Sequence, residues 1–295
     1  MAARTPYRSL RGISAVAALL AIGAVGCSGI SDAVDSAKDG AKTVARQRSV
    51  FSLDIGDCYN PTGQAEGTAY AVEIVPCDEA HEGQVVGEFA IDKSKEYPGD
   101  DGVATIADNR CPVEAQKYAT DTWALPKGVA LFYYTPTKES WATGDREVSC
   151  TYTAEKGTFS GSLNTAKSLK PEQNTYLKGS NAVYEALWAN QPEKDTVEDD
   201  LAGYKAQAKA VAAALDAHVK GLDGIEGTEI GKLRTTLTKA AENWKKAANA
   251  ADADAFYIAY DPAFTYIDPN KSVAARKELG LATTVPADEA EAWAS

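Results

Sequence analysis

The chain has 295 residues, 44% of them hydrophobic and 24% charged, with a formal net charge of -12. That balance excludes a disordered chain, a multi-span membrane protein and a basic nucleic-acid binder, which needs an excess of Lys and Arg. The length accommodates one or two domains of about 100–200 residues each.

Arg4, Arg8 and Arg11 lead into an apolar run over residues 13–25. The run is too short for a transmembrane helix, which needs about 20 apolar residues, but it suits the core of a signal peptide. It ends in Ala24-Val25-Gly26-Cys27, which resembles a bacterial lipobox. The resemblance implies diacylglyceryl transfer to the Cys27 sulfur and cleavage before it, making residues 1–26 a lipoprotein signal peptide. Paired acyl chains anchor stably where a single chain is marginal. The expectation is a lipoprotein held on the extracytoplasmic face of the cell membrane through Cys27. Losing residues 1–26 removes three arginines and no acid, so the mature chain is still more acidic. Residues 27–48 read as a tether, with charge balanced over residues 28–47 and a thin apolar stripe that Gly40 interrupts.

Residues 49–170 are rich in Val, Ile and aromatics, the texture of strands. Strands are predicted over 69–75, 84–91 and 147–153. The last of these alternates, with Val148, Cys150 and Tyr152 on one face. The continuous apolar run over 129–134 predicts a central strand, and 158–163 an edge strand. Between them, 104–120 has helical spacing (Ile106, Cys111, Ala115, Tyr118). The reading is an α+β domain with one helix on an antiparallel sheet.

Four cysteines remain after Cys27: Cys58, Cys77, Cys111 and Cys150. An even set in an exported domain reads as two disulfides, with three possible connectivities. Cys58–Cys77, joining successive strands, and Cys111–Cys150, joining the helix to a late strand, are favoured. The rival is a zinc site using Cys77 and His81, but no C-x-x-C pair exists and the chain has 2 histidines. No metal and no cofactor are expected.

Residues 171–295 lack cysteine and turn helical. Helices are predicted over 174–190, then along Leu201, Tyr204, Ala208, Val211, Leu215, His218 and Leu222. The next runs along Ile230, Leu233, Leu237, Ala240, Trp244, Ala247 and Ala251. Asp254 is expected to cap a short helix ending at Asp261-Pro262, and Asp268-Pro269 to start a last one that Gly280 ends. These are the seams of a four- or five-helix bundle.

Several separated motifs carry a further pattern. Gly56-Asp57-Cys58 comes first, then Val75-Pro76-Cys77-Asp78-Glu79-Ala80-His81-Glu82-Gly83-Gln84, then Tyr97-Pro98-Gly99-Asp100. Cys111 follows, and Pro136-Thr137-Lys138-Glu139-Ser140-Trp141-Ala142-Thr143-Gly144-Asp145-Arg146 runs on to Cys150. Over about residues 50–155 the chain resembles the septum formation family, an extracytoplasmic domain of high-GC Gram-positive bacteria. Two departures stand out: Ala80 where Pro is usual, and Gln84 where an acid is frequent. The resemblance implies a role at division or in the envelope and no established reaction.

The interaction candidates are Asp57, His81, Trp141, Asp145 and Arg146. Asp78, Glu79 and Glu82 flank His81 and would favour its imidazolium; the plain reading is a ring bonded to nearby backbone. Arg146 offers an anion-binding fork, or pairs internally with Asp57 while Trp141 packs beside it. His218, on an apolar seam, reads as a satisfied core histidine. No G-x-S-x-G, H-E-x-x-H, P-loop or G-x-G-x-x-G occurs. The functional expectation is a lipid-anchored binding or scaffold protein of the envelope with no catalytic activity. Its partners would be the membrane, through Cys27, and an envelope or division protein, with no nucleic acid. The alternatives are a carboxylate-dependent hydrolase of the cell wall and a small-ligand sensor whose bundle grips its ligand near Trp188, Tyr204 and Trp244.

Overall fold

The computed structural model describes residues 47–49, 52–62, 71–92, 96–189, 191–287 and 292. The signal peptide, Cys27 and all but the end of the expected tether lie outside the described residues. Two compact units divide the chain. The first runs to Cys111 and resumes over Gly128–Ser162; the second holds Pro112–Lys127 and Leu163–Ser295. The division therefore falls ahead of the expected boundary at residues 170/171, and 112–127 joins the helical unit.

In the first unit the described strands are β1 (Gln47–Ser49), β2 (Cys58–Pro61), β3 (Ala71–Val75), β4 (Gly83–Ala90), β5 (Val129–Tyr134) and β6 (Glu147–Ala154). They form an antiparallel sheet in the order β1-β3-β2-β4-β6-β5. The tether thus ends in a strand, because Gln47 to Ser49 pair with Glu73 to Ala71. β5, expected in the centre, is at the edge. Its apolar run is explained by packing on both faces: Leu131 and Tyr133 join one core cluster and Tyr134 the other. No strand forms over 158–163; Phe159 makes only a single bridge to His81, with backbone bonds of 2.9 Å in each direction.

Helix α1 (Asp100–Tyr118) begins after Gly99, whose φ of +86° turns the chain, and has Asp100 and Asp101 where the helix dipole favours acids. Val103, Ala107 and Cys111, four residues apart, bury one stripe against Phe89, Ile91, Val148 and Cys150. A bulge between Val85 and Gly87 splits β4. The extra residue reverses the alternation, so Val85 joins Leu53, Tyr59 and Val72 while Phe89 faces α1. Both favoured disulfides are present, Cys58–Cys77 and Cys111–Cys150. A second, short helix that the sequence reading missed, α2 (Lys138–Ala142), starts in a capping box between Thr137 and Ser140.

The second unit is a bundle of α3 (Pro171–Ala189), α4 (Leu201–Leu222), α5 (Thr228–Ala248), α6 (Ala253–Tyr266) and the short α7 (Val273–Leu279). Leu177, Val211, Leu215, Ile230, Leu233, Trp244 and Phe256 share one core. Asp252, not Asp254, caps α6, accepting from the Ala255 amide at 2.8 Å. α6 also runs through Pro262 rather than stopping there. The carbonyl that loses its donor to proline belongs to Ile258, which is 77% exposed and open to water, while Ala263 beyond it is fully buried. Gly280 ends α7 in the left-handed conformation, as expected. The architecture is α+β, a disulfide-bonded sheet unit followed by a helical bundle. Among the described residues no helix is long and apolar enough to cross a membrane.

Candidate functional site

Three of the motif residues come together at one turn. Trp141, on α2, is buried, and the Arg146 guanidinium lies 3.7 Å from its ring centroid. Gly144, at φ +102°, reverses the chain between them, and the Asp145 amide returns to the Ser140 carbonyl at 3.0 Å. Nη1 of Arg146 donates to the carbonyls of Trp141 at 2.7 Å and Asp145 at 2.6 Å. The Asp145 carboxylate accepts from the Glu147 amide at 3.0 Å, setting the start of β6. Tyr97 stacks edge-on to Trp141 and donates to Asp100 at the head of α1. Arg146 therefore does not pair with Asp57. Its Nη1 is taken up by those two carbonyls, and Nε is buried without a protein partner.

Asp57 sits elsewhere, in the Gly56-Asp57-Cys58 turn. Its carboxylate accepts from the Asp54 amide at 3.0 Å, and backbone bonds of 2.9 and 3.0 Å tie Gly56 and Asp57 to Val85. The Gly56 carbonyl accepts from Nε2 of Gln84, which also reaches Ser162 Oγ at 3.2 Å. Gln84 is fully buried against the Cys58–Cys77 bridge, so an uncharged amide suits a position where an acid would need a cation.

His81 is fully buried. Its Nδ1 lies 2.9 Å from the Glu79 carbonyl, and its ring meets Phe159 edge-on. The imidazole thus fixes the turn after Cys77. Cys77 is consumed by its disulfide and cannot be a zinc ligand. Among the described residues no group of three or more His, Cys, Asp or Glu is placed to hold a metal.

The most perturbed carboxylate was not among the sequence candidates. Glu88, opposite Ser149 in the β4–β6 ladder, has its pKa pushed up to about 7. Burial is the main cause, and the negative charges of Glu147, Asp54 and Asp57 add to it. Its Oε1 is buried without a partner. The alternation of β4 could have placed Glu88 opposite the helix face, but only with the bulge known. On the other side of β6, Tyr133 donates to Asp108 of α1 at 2.8 Å, and burial raises the pKa of both.

In the bundle, the aromatics proposed to grip a ligand take different roles. Trp244 is fully buried against Tyr260, and Tyr204 packs on Phe256; Trp188 is 43% exposed beside Tyr184. None of the three lines the cavity of this unit. His218 does, and it is not the satisfied core histidine expected: its Nδ1 has no protein partner.

Residues 27–150 match the family model described as septum formation, and the chain resembles that family over this span. The match takes in both disulfides and the Trp141–Arg146 turn and ends ahead of the bundle. It suggests a cell-division-related, extracytoplasmic role. No curated protein and no solved structure matches the chain.

Proposed function

We propose that the protein is a lipid-anchored binding or scaffold protein on the extracytoplasmic face of the cell membrane, where it engages an envelope or division partner during septum formation. The observation that carries the reading is the septum formation match over residues 27–150. Cys27, in its lipobox-like setting, supplies the anchor. Two disulfides suit an oxidising compartment. The charge of -12 opposes adsorption to anionic lipid or nucleic acid, which favours an anchor and a specific partner over bulk electrostatics. Arg146, Asp145 and His81 each spend polar atoms on backbone, so these motif side chains build the turns of the domain.

The test is a deletion strain scored for division defects and complemented by wild type or Cys27→Ala, with in-cell crosslinking of each. Wild type should restore division, carry acyl chains by mass spectrometry and crosslink an envelope protein. Cys27→Ala should do none of these. An unacylated wild-type amino terminus, or full rescue by Cys27→Ala, overturns the anchored reading.

One observation favours a second reading. Glu88, with its pKa pushed up to about 7 by burial and by neighbouring carboxylates, has the poise of a general acid in a carboxylate-dependent hydrolase. Turnover of cell-wall polymer by the purified protein, abolished by Glu88→Gln, would select this reading over the first.

A further inference from the structure

The outward face of α6 carries a stripe that the bundle core does not use. Asp254, Tyr257, Ile258, Asp261, Pro262 and Thr265, in alternating steps of three and one, are all exposed. Phe256, Ala259 and Ala263 are buried on the other side. Ile258, 77% exposed, stands at the centre of the stripe, with Tyr257 beside it and Pro262 one turn on. Single exposed apolar residues are ordinary, but neighbouring ones rimmed by polar groups mark an interaction surface. Pro262 also removes the amide donor of the Ile258 carbonyl, which leaves a backbone acceptor on the same turn.

The rim is of one sign. Tyr257 donates from its hydroxyl to Glu198 at 3.5 Å, which brings the segment 193–200 beside α6. Val197, buried in the bundle core, and Asp200, which caps α4 through the Gly203 amide at 2.8 Å, hold that segment. It carries five acids and one lysine, and residues 252–261 carry three acids and no base. Burial first, then Tyr257, Asp195, Asp200 and Glu198, raise the pKa of the adjacent Tyr204, so these charges converge on the two tyrosines. Among the described residues none of Glu198, Asp254 and Asp261 enters an ion pair.

We propose that this face docks a basic amphipathic segment of a partner protein, with its apolar side chains on Tyr257, Ile258 and Pro262 and its Lys or Arg heads on Glu198, Asp254 and Asp261. The long stems of Lys and Arg cover apolar surface while their heads reach the carboxylates. Complementary charge selects such a partner, and it disfavours a second copy of this acidic face. The surface lies outside residues 27–150 and owes nothing to the anchor, so its test leaves the envelope-binding reading standing.

Three labelled synthetic peptides of equal length serve as probes: an amphipathic Leu/Lys helix, its Leu/Glu counterpart, and a Ser/Lys counterpart with the charge but no apolar face. Titrated with the purified full chain at physiological salt and followed by fluorescence anisotropy, the Leu/Lys peptide should bind at least tenfold tighter than either counterpart. Tyr257→Ala combined with Ile258→Ser should weaken it at least tenfold. Glu198→Gln, Asp254→Asn and Asp261→Asn together should do the same and flatten the salt dependence. Glu172→Gln, Glu185→Gln and Glu226→Gln together change the net charge equally and should leave affinity within twofold. All of these positions are exposed, so the fold is kept. Equal binding of the Leu/Lys and Ser/Lys peptides, wild-type affinity in the Tyr257 and Ile258 double variant, equal losses from the two acid triples, or no binding at millimolar peptide would each overturn the assignment. A dimer of the free chain by light scattering, broken by Ile258→Ser, would give the face to a second copy and overturn it too.

Discussion

A Cβ on Gly227 would stand 2.3 Å from Oε2 of Glu278, so the glycine is the space that the carboxylate occupies. From α7, Glu278 accepts the first amides of α5, those of Thr228 at 3.0 Å, Glu229 at 2.9 Å and Ile230 at 3.0 Å. A helix start leaves four amides unsatisfied and carries partial positive charge, and here a distant acid serves as the cap. Gly227→Ala is expected to cost about 1–3 kcal/mol, through the collision and through its φ of +154°. Glu278→Ala should cost about 1–2 kcal/mol, as loss of a cap does. Urea unfolding of the double variant should show less than the sum, since both changes remove one arrangement. Strict additivity would mean that the glycine serves another purpose.

Arg276 of α7 is fully buried and donates through Nη2 to Asp121, which lies 155 positions earlier and is itself 3% exposed at its side chain. Nε donates to the Ala282 carbonyl at 2.6 Å, and the guanidinium stacks 4.1 Å over the Trp123 ring. Asn181 also donates to the Thr120 carbonyl, and Trp123 to that of Ala292. These contacts place residues 112–127 in the helical unit. Removing one partner of a buried pair strands the other charge, at about 3–5 kcal/mol; removing both with apolar replacements is far milder. Arg276→Met and Asp121→Leu should each lower stability by about that amount, and the double variant should recover most of it in chemical unfolding. A double variant as weak as the two losses combined would deny the pairing.

The particulars of this molecule show which features a sequence displays. Period-two alternation exposed β6, and spacing by threes and fours exposed the seams of α4 and α5, because those patterns depend on neighbours along the chain. The disulfides followed from which elements the cysteines occupied. The bulge at Val86, the edge position of β5 and the continuation of α6 through Pro262 depend on what a distant segment contributes. Glu88 was missed for the same reason, since the carboxylates that perturb it come from the turn at Asp54 and Asp57 and from β6. His218 was legible as buried. Its missing partner was not, because that depends on Gly179 in another helix.

Glu88 makes the sheet unit sensitive to rising pH in the acidic-to-neutral range. Its folded pKa of about 7 lies above the ordinary 4.5, so its favourable state is the protonated one. The folded state binds more protons than the unfolded chain between those values, and stability falls as pH rises from 4.5 through 7. Glu88→Gln should be more stable than wild type above pH 7 and close to it below pH 4.5. The difference should develop between those limits in thermal melts. A wild type and variant that track each other across the range would remove Glu88 as the cause.

His218 has the opposite sign and sits in the other unit. Its folded pKa of about 4 lies below the ordinary 6.5, so the unfolded chain takes up its proton first. Stability is fully present above pH 6.5 and is lost as pH falls toward 4, by up to about 3 kcal/mol for a shift of this size. The ring faces Tyr176 edge-on, and Asp268 and Lys271 line the same cavity, so no unopposed anion there would stabilise an imidazolium. In urea unfolding at a series of pH values, His218→Phe should lose the acid-side slope while Glu88→Gln keeps it. Retention of the full acid-side slope in His218→Phe would assign it to other groups and leave the buried imidazole without a measurable burden.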